Sequence, residues 1–112
     1  MSLNIKHTIT GHTIVVEVSG ALDAHNAPDF EKQVNTLLQS QQGHLILNLA
    51  GVNHIASAGF GALMPIKNIQ DARKHKMLLS NLNENVAKVF KLLGFNNILQ
   101  AYASVEEAKK AI

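Results

Sequence analysis

The pattern that most narrows the choice of fold lies at the centre of the chain. Leu45-Ile46-Leu47-Asn48-Leu49 is an almost continuous apolar run, the mark of a strand covered on both faces. Soon after it comes Asn53-His54-Ile55-Ala56-Ser57-Ala58-Gly59-Phe60-Gly61-Ala62-Leu63, where strand gives way to helix. A buried strand running into a helix points to an α/β sheet. The same segment places one hydroxyl, that of Ser57, at the turn between the two elements. A serine there is poised to act as a helix N-cap, its oxygen accepting from free backbone N–H groups. Because the helix dipole favours negative charge at that end, the position can also hold a phosphate, on a ligand or on the serine itself.

The flanking patterns supply the rest of the sheet. Ile5, His7 and Ile9 alternate with polar neighbours, Gly11-His12 interrupts, and Ile14, Val16 and Val18 alternate again. Residues 3–19 therefore read as a hairpin of two strands. Gly20-Ala21-Leu22-Asp23 leaves the second strand, and Asn26 and Pro28 announce a helix over about 28–40 with Phe30, Val34, Leu37 and Leu38 on one stripe. A second helix is expected from Ser57 to about Lys74, burying Phe60, Leu63, Ile66 or Met64, and Ile69, with a kink or irregular first part at Pro65. Met77-Leu78-Leu79-Ser80 reads as another buried strand. A third helix over 84–93 carries Val86, Phe90 and Leu93 and stops at Gly94. Residues 98–102 suit a last short strand. Ser104-Val105-Glu106-Glu107 is a capping box for a terminal helix bearing Val105, Ala108 and Ile112. The expected fold is one compact α/β domain over residues 1–112. Its mixed, mainly parallel sheet has four or five strands, an N-terminal hairpin and about four helices.

Composition removes several classes of function. With 46% hydrophobic and 16% charged residues in 112, the chain has the makings of an ordinary core. It has no cysteine, so no disulfide framework and no thiolate chemistry. No signal peptide and no membrane-spanning run is recognisable, and a cytoplasmic location is the expectation. The net charge of +2 is slight and aromatic residues are 4%, which leaves no stacking platform for bases. The basic run Arg73-Lys74-His75-Lys76 reads as the solvated end of a helix rather than a nucleic-acid patch.

The candidate chemistry is equally selective. His7, His12, His25, His44, His54 and His75 are scattered without a metal-ligand spacing, so no metal and no cofactor is expected. The Ser57 segment is not a Gly-x-Ser-x-Gly elbow, and a base would have to come from His25 or His54 through folding. Gly59 and Gly61 lack the third glycine of a dinucleotide loop and the Gly-Lys-Ser/Thr of a phosphate loop; their plain role is tight packing of the helix start. Asp23 follows the second strand, where an aspartate caps a turn or, together with Ser57, marks a functional surface.

The order and spacing of these pieces resemble a STAS domain, the family of bacterial anti-sigma factor antagonists, over nearly the whole length. Val18-Ser19-Gly20-Ala21-Leu22-Asp23 is similar to the family's Gly-x-Leu/Ile-Asp turn, and Leu45 to Val52 to its central strand. Ile55-Ala56-Ser57-Ala58-Gly59-Phe60-Gly61 resembles its Asp-Ser-x-Gly-Leu/Ile-Gly switch motif. Leu92-Leu93-Gly94-Phe95 and Ser104-Val105-Glu106-Glu107-Ala108 are similar to its C-terminal region.

The resemblance implies a non-enzymatic regulatory protein that binds an anti-sigma factor acting as a serine protein kinase of the GHKL type. It implies that Ser57 is the phosphorylated serine and that a serine phosphatase reverses the mark. Asp23, Ala56, Ser57, Gly59, Phe60 and Gly61 are the implied partner-binding residues. Ala56 stands where the family has an acidic residue, and Asn48 where many members carry aspartate. The alternative is a STAS interaction subunit of a signalling or transport assembly that is not phosphorylated.

Overall fold

A computed structural model of the chain describes residues 3–112. Its core is a five-stranded sheet in the order β1-β2-β3-β4-β5. β1 (Leu3–Thr10) and β2 (Thr13–Leu22) form the antiparallel hairpin. Their two-residue turn carries Gly11 at φ 60°, a left-handed conformation that glycine adopts without strain. β3 (His44–Ile55), β4 (Met77–Ser80) and β5 (Gln100–Tyr102) add in parallel.

Because strand order follows chain order, right-handed crossovers put every connecting helix on the same face. α1 (Ala27–Ser40) joins β2 to β3, and α2 (Ser57–Gly61) with α3 (Leu63–Ala72) joins β3 to β4. α4 (Glu84–Leu92) and a 3-10 turn at Phe95–Asn97 lead to β5. That face holds the main core, in which Phe30, Val34, Phe60, Leu63, Ile66 and Phe90 meet Val16, Leu47 and Leu79 of the sheet. Among the described residues the other face carries only α5 (Val105–Lys110), whose Ala108 packs with Val15, Ile46 and Leu78. β3 is thus apolar on both sides.

Several boundaries differ from the sequence expectation, each for a physical reason. β2 continues through Gly20 to Leu22 because parallel pairing to β3 carries on past the irregularities at Glu17/Ser19 and Gly20/Ala21. β3 likewise extends over Ala50–Ile55, where Gly51 lies so close to Ser19 that a β-carbon would stand 2.6 Å from the Ser19 β-carbon.

The expected long second helix is two helices, broken at Ala62, which caps both. This break is the irregular first part expected of a helix holding Pro65. Pro65 falls in the first turn of α3, where a proline's missing N–H would be unpaired anyway. The buried side of α3 holds Leu63, Ile66 and Gln70, while Ile69 and Met64 are only half-buried. Leu93 and Ile112 lie outside their expected stripes, at 43% and 38% exposure, because α4 ends at Leu92 and α5 at Lys110. The expected stop at Gly94 and the expected start at Ser104 both hold. Gly94 sits at φ 78°, and the Ser104 Oγ accepts from the Glu107 N–H at 3.1 Å.

Candidate functional site

The site lies where two parallel strands end side by side. Leu22, the last residue of β2, pairs with Ile55, the last of β3, and the Ala56 N–H donates to the Leu22 carbonyl at 3.0 Å. Asp23 and Ala56 therefore leave the sheet as neighbours. Loops at the carboxyl ends of parallel strands commonly carry function, because the sheet positions them rigidly.

Asp23 is held by its own turn. Its Oδ1 accepts from the N–H groups of His25 at 2.9 Å and Asn26 at 3.1 Å. Asn26 returns the bond, its Oδ1 accepting from the Asp23 N–H at 2.9 Å while its Nδ2 donates to the Ala21 carbonyl at 2.6 Å. The Asp23 carbonyl then accepts from the Ala27 N–H at 2.8 Å, starting α1. The aspartate thus performs the capping role open to it, and it does so half-exposed beside the start of α2.

Ser57 corrects the expectation in one respect. Ala56 is the N-cap of α2 and Ser57 its first residue, so the Ser57 hydroxyl caps nothing. Among the described residues that hydroxyl makes no hydrogen bond, and the residue is exposed. It is a free hydroxyl on a fixed backbone.

The fixing comes from the next turn. Gly59 is buried so tightly under the strand ends that a β-carbon would lie 2.7 Å from the Leu22 carbonyl oxygen and 2.9 Å from Ile55 Cγ1. Phe60 has no exposed surface. Its ring stacks on Phe95 at a centroid distance of 5.3 Å and meets Phe90 at 5.7 Å. Gly59 and Phe60 therefore anchor α2 from below, and the helical repeat leaves Ser57, Ala58 and Gly61 facing out. Gly61 has open space around its would-be β-carbon, so tight packing explains only the first of the two glycines. Phe60 is buried, as its place on the helix stripe predicts, so as expected contact residues both it and the buried Gly59 are corrected: they shape the surface from behind.

Beside the outward face of α2 runs a shallow groove towards α1, lined by Ala24, Ala27, Pro28, Glu31, Ala58 and Gly61. Small side chains make its floor, and Glu31 is its charged member. The sequence reading missed this groove and the Asn26 half of the turn. The Asp-x-x-Asn spacing could have signalled the latter; the groove could not be read, because its walls come from segments some thirty residues apart.

The arrangement does not assemble a hydrolytic centre. No hydrogen bond joins Ser57 to His25 or His54, and among the described residues no group of three or more His, Cys, Asp or Glu is placed to hold a metal ion. What remains is an exposed, unengaged hydroxyl in an uncharged patch, next to an acidic turn and a groove.

A family model for the STAS domain matches residues 4–108. The chain belongs to the STAS domain family. That family is regulatory and non-catalytic.

The chain is 24% identical to the anti-sigma-B factor antagonist of Bacillus subtilis over 95% of its own length and 96% of that protein's. It is 23% identical to the anti-sigma F factor antagonist of Paenibacillus polymyxa over 91% and 88%. In structure it is similar to a Thermotoga maritima protein assigned as an anti-sigma factor antagonist, with a TM-score of 0.90 at 23% identity covering 96% and 93% of the two chains. Among the described residues no helix is long and apolar enough to cross a membrane.

Proposed function

We propose that this STAS domain is an anti-sigma factor antagonist. In this reading it docks on an anti-sigma factor of the GHKL serine-kinase type, from the cytoplasmic side of the cell, through Asp23, Ala56, Ser57, Ala58 and Gly61 and the groove beside them. The observation that carries the reading is the Ser57 hydroxyl: exposed, unbonded, and held in place by a helix anchored through Gly59 and Phe60. The names of the similar proteins from Bacillus and Paenibacillus support an anti-sigma factor as the partner.

The switch follows from charge and size. In the kinase reaction the Ser57 oxygen attacks the γ-phosphorus of ATP, the bond to the ADP oxygen breaks, and the serine proton is lost to base. The product carries about −1.5 to −2 charges on Ser57. Negative charge beside the first turn of a helix is tolerated, so the fold survives. The patch of Ala56, Ala58 and Gly61 does not keep its character. A partner fitted to a small neutral hydroxyl meets a bulky anion instead, and the complex dissociates through local sterics and electrostatics. A serine phosphatase restores the starting surface.

A second reading rests on Ala56. An alanine beside Ser57 offers neither charge nor acceptor to the hydroxyl, and the Asp23 Oδ1 is already taken by two backbone amides. Such a site suits a constitutive interaction subunit of a signalling or transport assembly.

Two measurements separate the readings. Incubation with the cognate kinase and ATP yields a mass gain of one phosphate, lost in Ser57→Ala, under the switch reading, and no gain under the second. Partner affinity is retained by Ser57→Ala and abolished by Ser57→Asp if the hydroxyl sits in the interface. Equal affinity of both variants and the parent removes the docking proposal.

A further inference from the structure

The pole of the sheet opposite Ser57 gathers titratable groups from three connections. His12 lies in the β1–β2 turn, His44 opens β3, and His75 and Lys76 precede β4. Backbone bonds tie these segments together. The His44 N–H donates to the His12 carbonyl at 2.7 Å, and the Leu45 N–H donates to the Lys76 carbonyl at 2.9 Å. Gly43 permits the first of these contacts, since a β-carbon there would run into the His12 carbonyl. Beneath them the fully buried Gln70 donates its Nε2 to the carbonyls of Gly43 at 2.8 Å and Lys76 at 3.2 Å.

One bond in this cluster depends on a proton. The Lys76 N–H donates to His44 Nδ1 at 2.9 Å. A ring nitrogen that accepts must carry no proton, so His44 is held as the neutral tautomer with hydrogen on Nε2. The His44 ring meets the His75 ring edge-on at 5.5 Å, and His75 Nδ1 is buried without a partner among the described residues.

The charge-bearing groups facing His44 are His12 from the hairpin turn and His75 and Lys76 from the α3–β4 connection. None is an acid. The nearby cations are also satisfied by carbonyls: the Lys76 ammonium donates to Ala111 at 2.7 Å, and the Arg73 guanidinium to Leu38 at 2.8 Å. Burial, then His75, Lys76 and His12, all push the His44 pKa below its ordinary value.

We propose that this pole is a proton-sensitive latch. While His44 is neutral its ring clamps the α3–β4 connection onto the start of β3, beside the backbone bond that holds the β1–β2 turn there. Protonation sets an N–H donor against the Lys76 N–H, among three other basic groups, and opens that end of the sheet while the Ser57 end keeps its shape. The sign follows from linkage. A histidine whose folded pKa is depressed contributes stability that is complete above its unfolded value of about 6.5, and that is lost as pH falls below it towards the folded value.

Residue-resolved NMR on the full chain tests the latch. The 15N shifts of His44 should report the Nε2–H tautomer and a titration at lower pH than that of a histidine in an unstructured peptide. Between pH 7.5 and 5.5 the amides of Lys76 and Leu45 should lose hydrogen-exchange protection, corrected for intrinsic rate, by a larger factor than those of Leu22 and Ala56. His44→Asn, which keeps an acceptor but cannot titrate, should abolish that difference. If His44→Asn does not fold, the tautomer and exchange data of the parent still decide. Titration of His44 at the pH of an unstructured-peptide histidine or above, a proton on Nδ1, or unchanged relative protection at Lys76 would overturn the proposal.

Discussion

Asp23 and Asn26 each accept the other's backbone N–H through a side-chain oxygen, at 3.1 and 2.9 Å. The pair closes the turn between β2 and α1 and sets the height at which Asp23 stands beside the start of α2. It has the reciprocal logic of a capping box, in which two otherwise unpaired donors at a helix entrance are satisfied together.

Stability and docking can therefore be separated at Asp23. Asp23→Ala removes the acceptor for two backbone amides and should cost about 1 kcal/mol, within a range of ~0.5–2 for a lost cap. Asp23→Asn keeps an acceptor in the same place and should unfold in urea within ~0.5 kcal/mol of the parent. If the carboxylate meets the partner, affinity falls for both variants while stability falls for Asp23→Ala alone.

The two glycines of α2 make opposite predictions. At Gly59 an added methyl meets the Leu22 carbonyl and the Ile55 side chain at under 3 Å, so Gly59→Ala should destabilise by ~1–3 kcal/mol, the usual cost of overpacking. At Gly61 the space is open and the residue is helical. Gly61→Ala should leave stability equal or raise it by up to about 1 kcal/mol. Because that methyl enters the groove beside Glu31, it should weaken partner binding without loss of fold. Denaturant midpoints and a binding isotherm for each variant check both halves.

Much of the fold was legible because local chemistry and tertiary packing agree. Ser104, Gly94 and the apolar stripe of Phe30, Val34 and Leu38 signal their roles by residue type and spacing, and the structure uses them so. Legibility failed where pairing overrode pattern. Ala50–Ile55 lacks a clean alternation yet extends β3, because β2 continues beside it and its backbone groups need partners. Gln70 was unreadable for a different cause. Its polar side chain occupies a core position on α3 to satisfy two carbonyls that come from other segments. At the site, Ser57 and Asp23 could be placed from their positions after strands. The burial of Phe60 was legible too, as part of the apolar stripe expected of the second helix, but its consequence for docking was not, since a side chain in the core cannot also meet a partner.

Phe60 links the hidden and the visible parts of the site. Its ring contacts Phe90 and Phe95, from α4 and the turn after it. Truncation by Phe60→Ala should cost ~3–5 kcal/mol, the range for a fully buried aromatic. Phe60→Leu should cost less and leave the outward face of α2 in register. Partner affinity of folded Phe60→Leu close to that of the parent would identify the ring as a support; a large loss at full stability would place it in the interface after rearrangement.

Charge at Ser57 supplies the sharpest contrast between folding and binding. The residue is exposed, its hydroxyl has no hydrogen bond to lose, and it opens a helix whose first turn contains no acidic side chain. Ser57→Asp should therefore raise unfolding free energy by no more than about 1 kcal/mol, because a negative charge near a helix N-terminus contributes ~0.3–1 kcal/mol at low ionic strength. That gain should fade with added salt as the charge is screened. Thermal unfolding at low and high salt measures it. A large destabilisation would mean that the charge disturbs the packing of Gly59 and Phe60 beneath it, and the switch would then act by refolding the surface instead of by repelling a partner from an intact one.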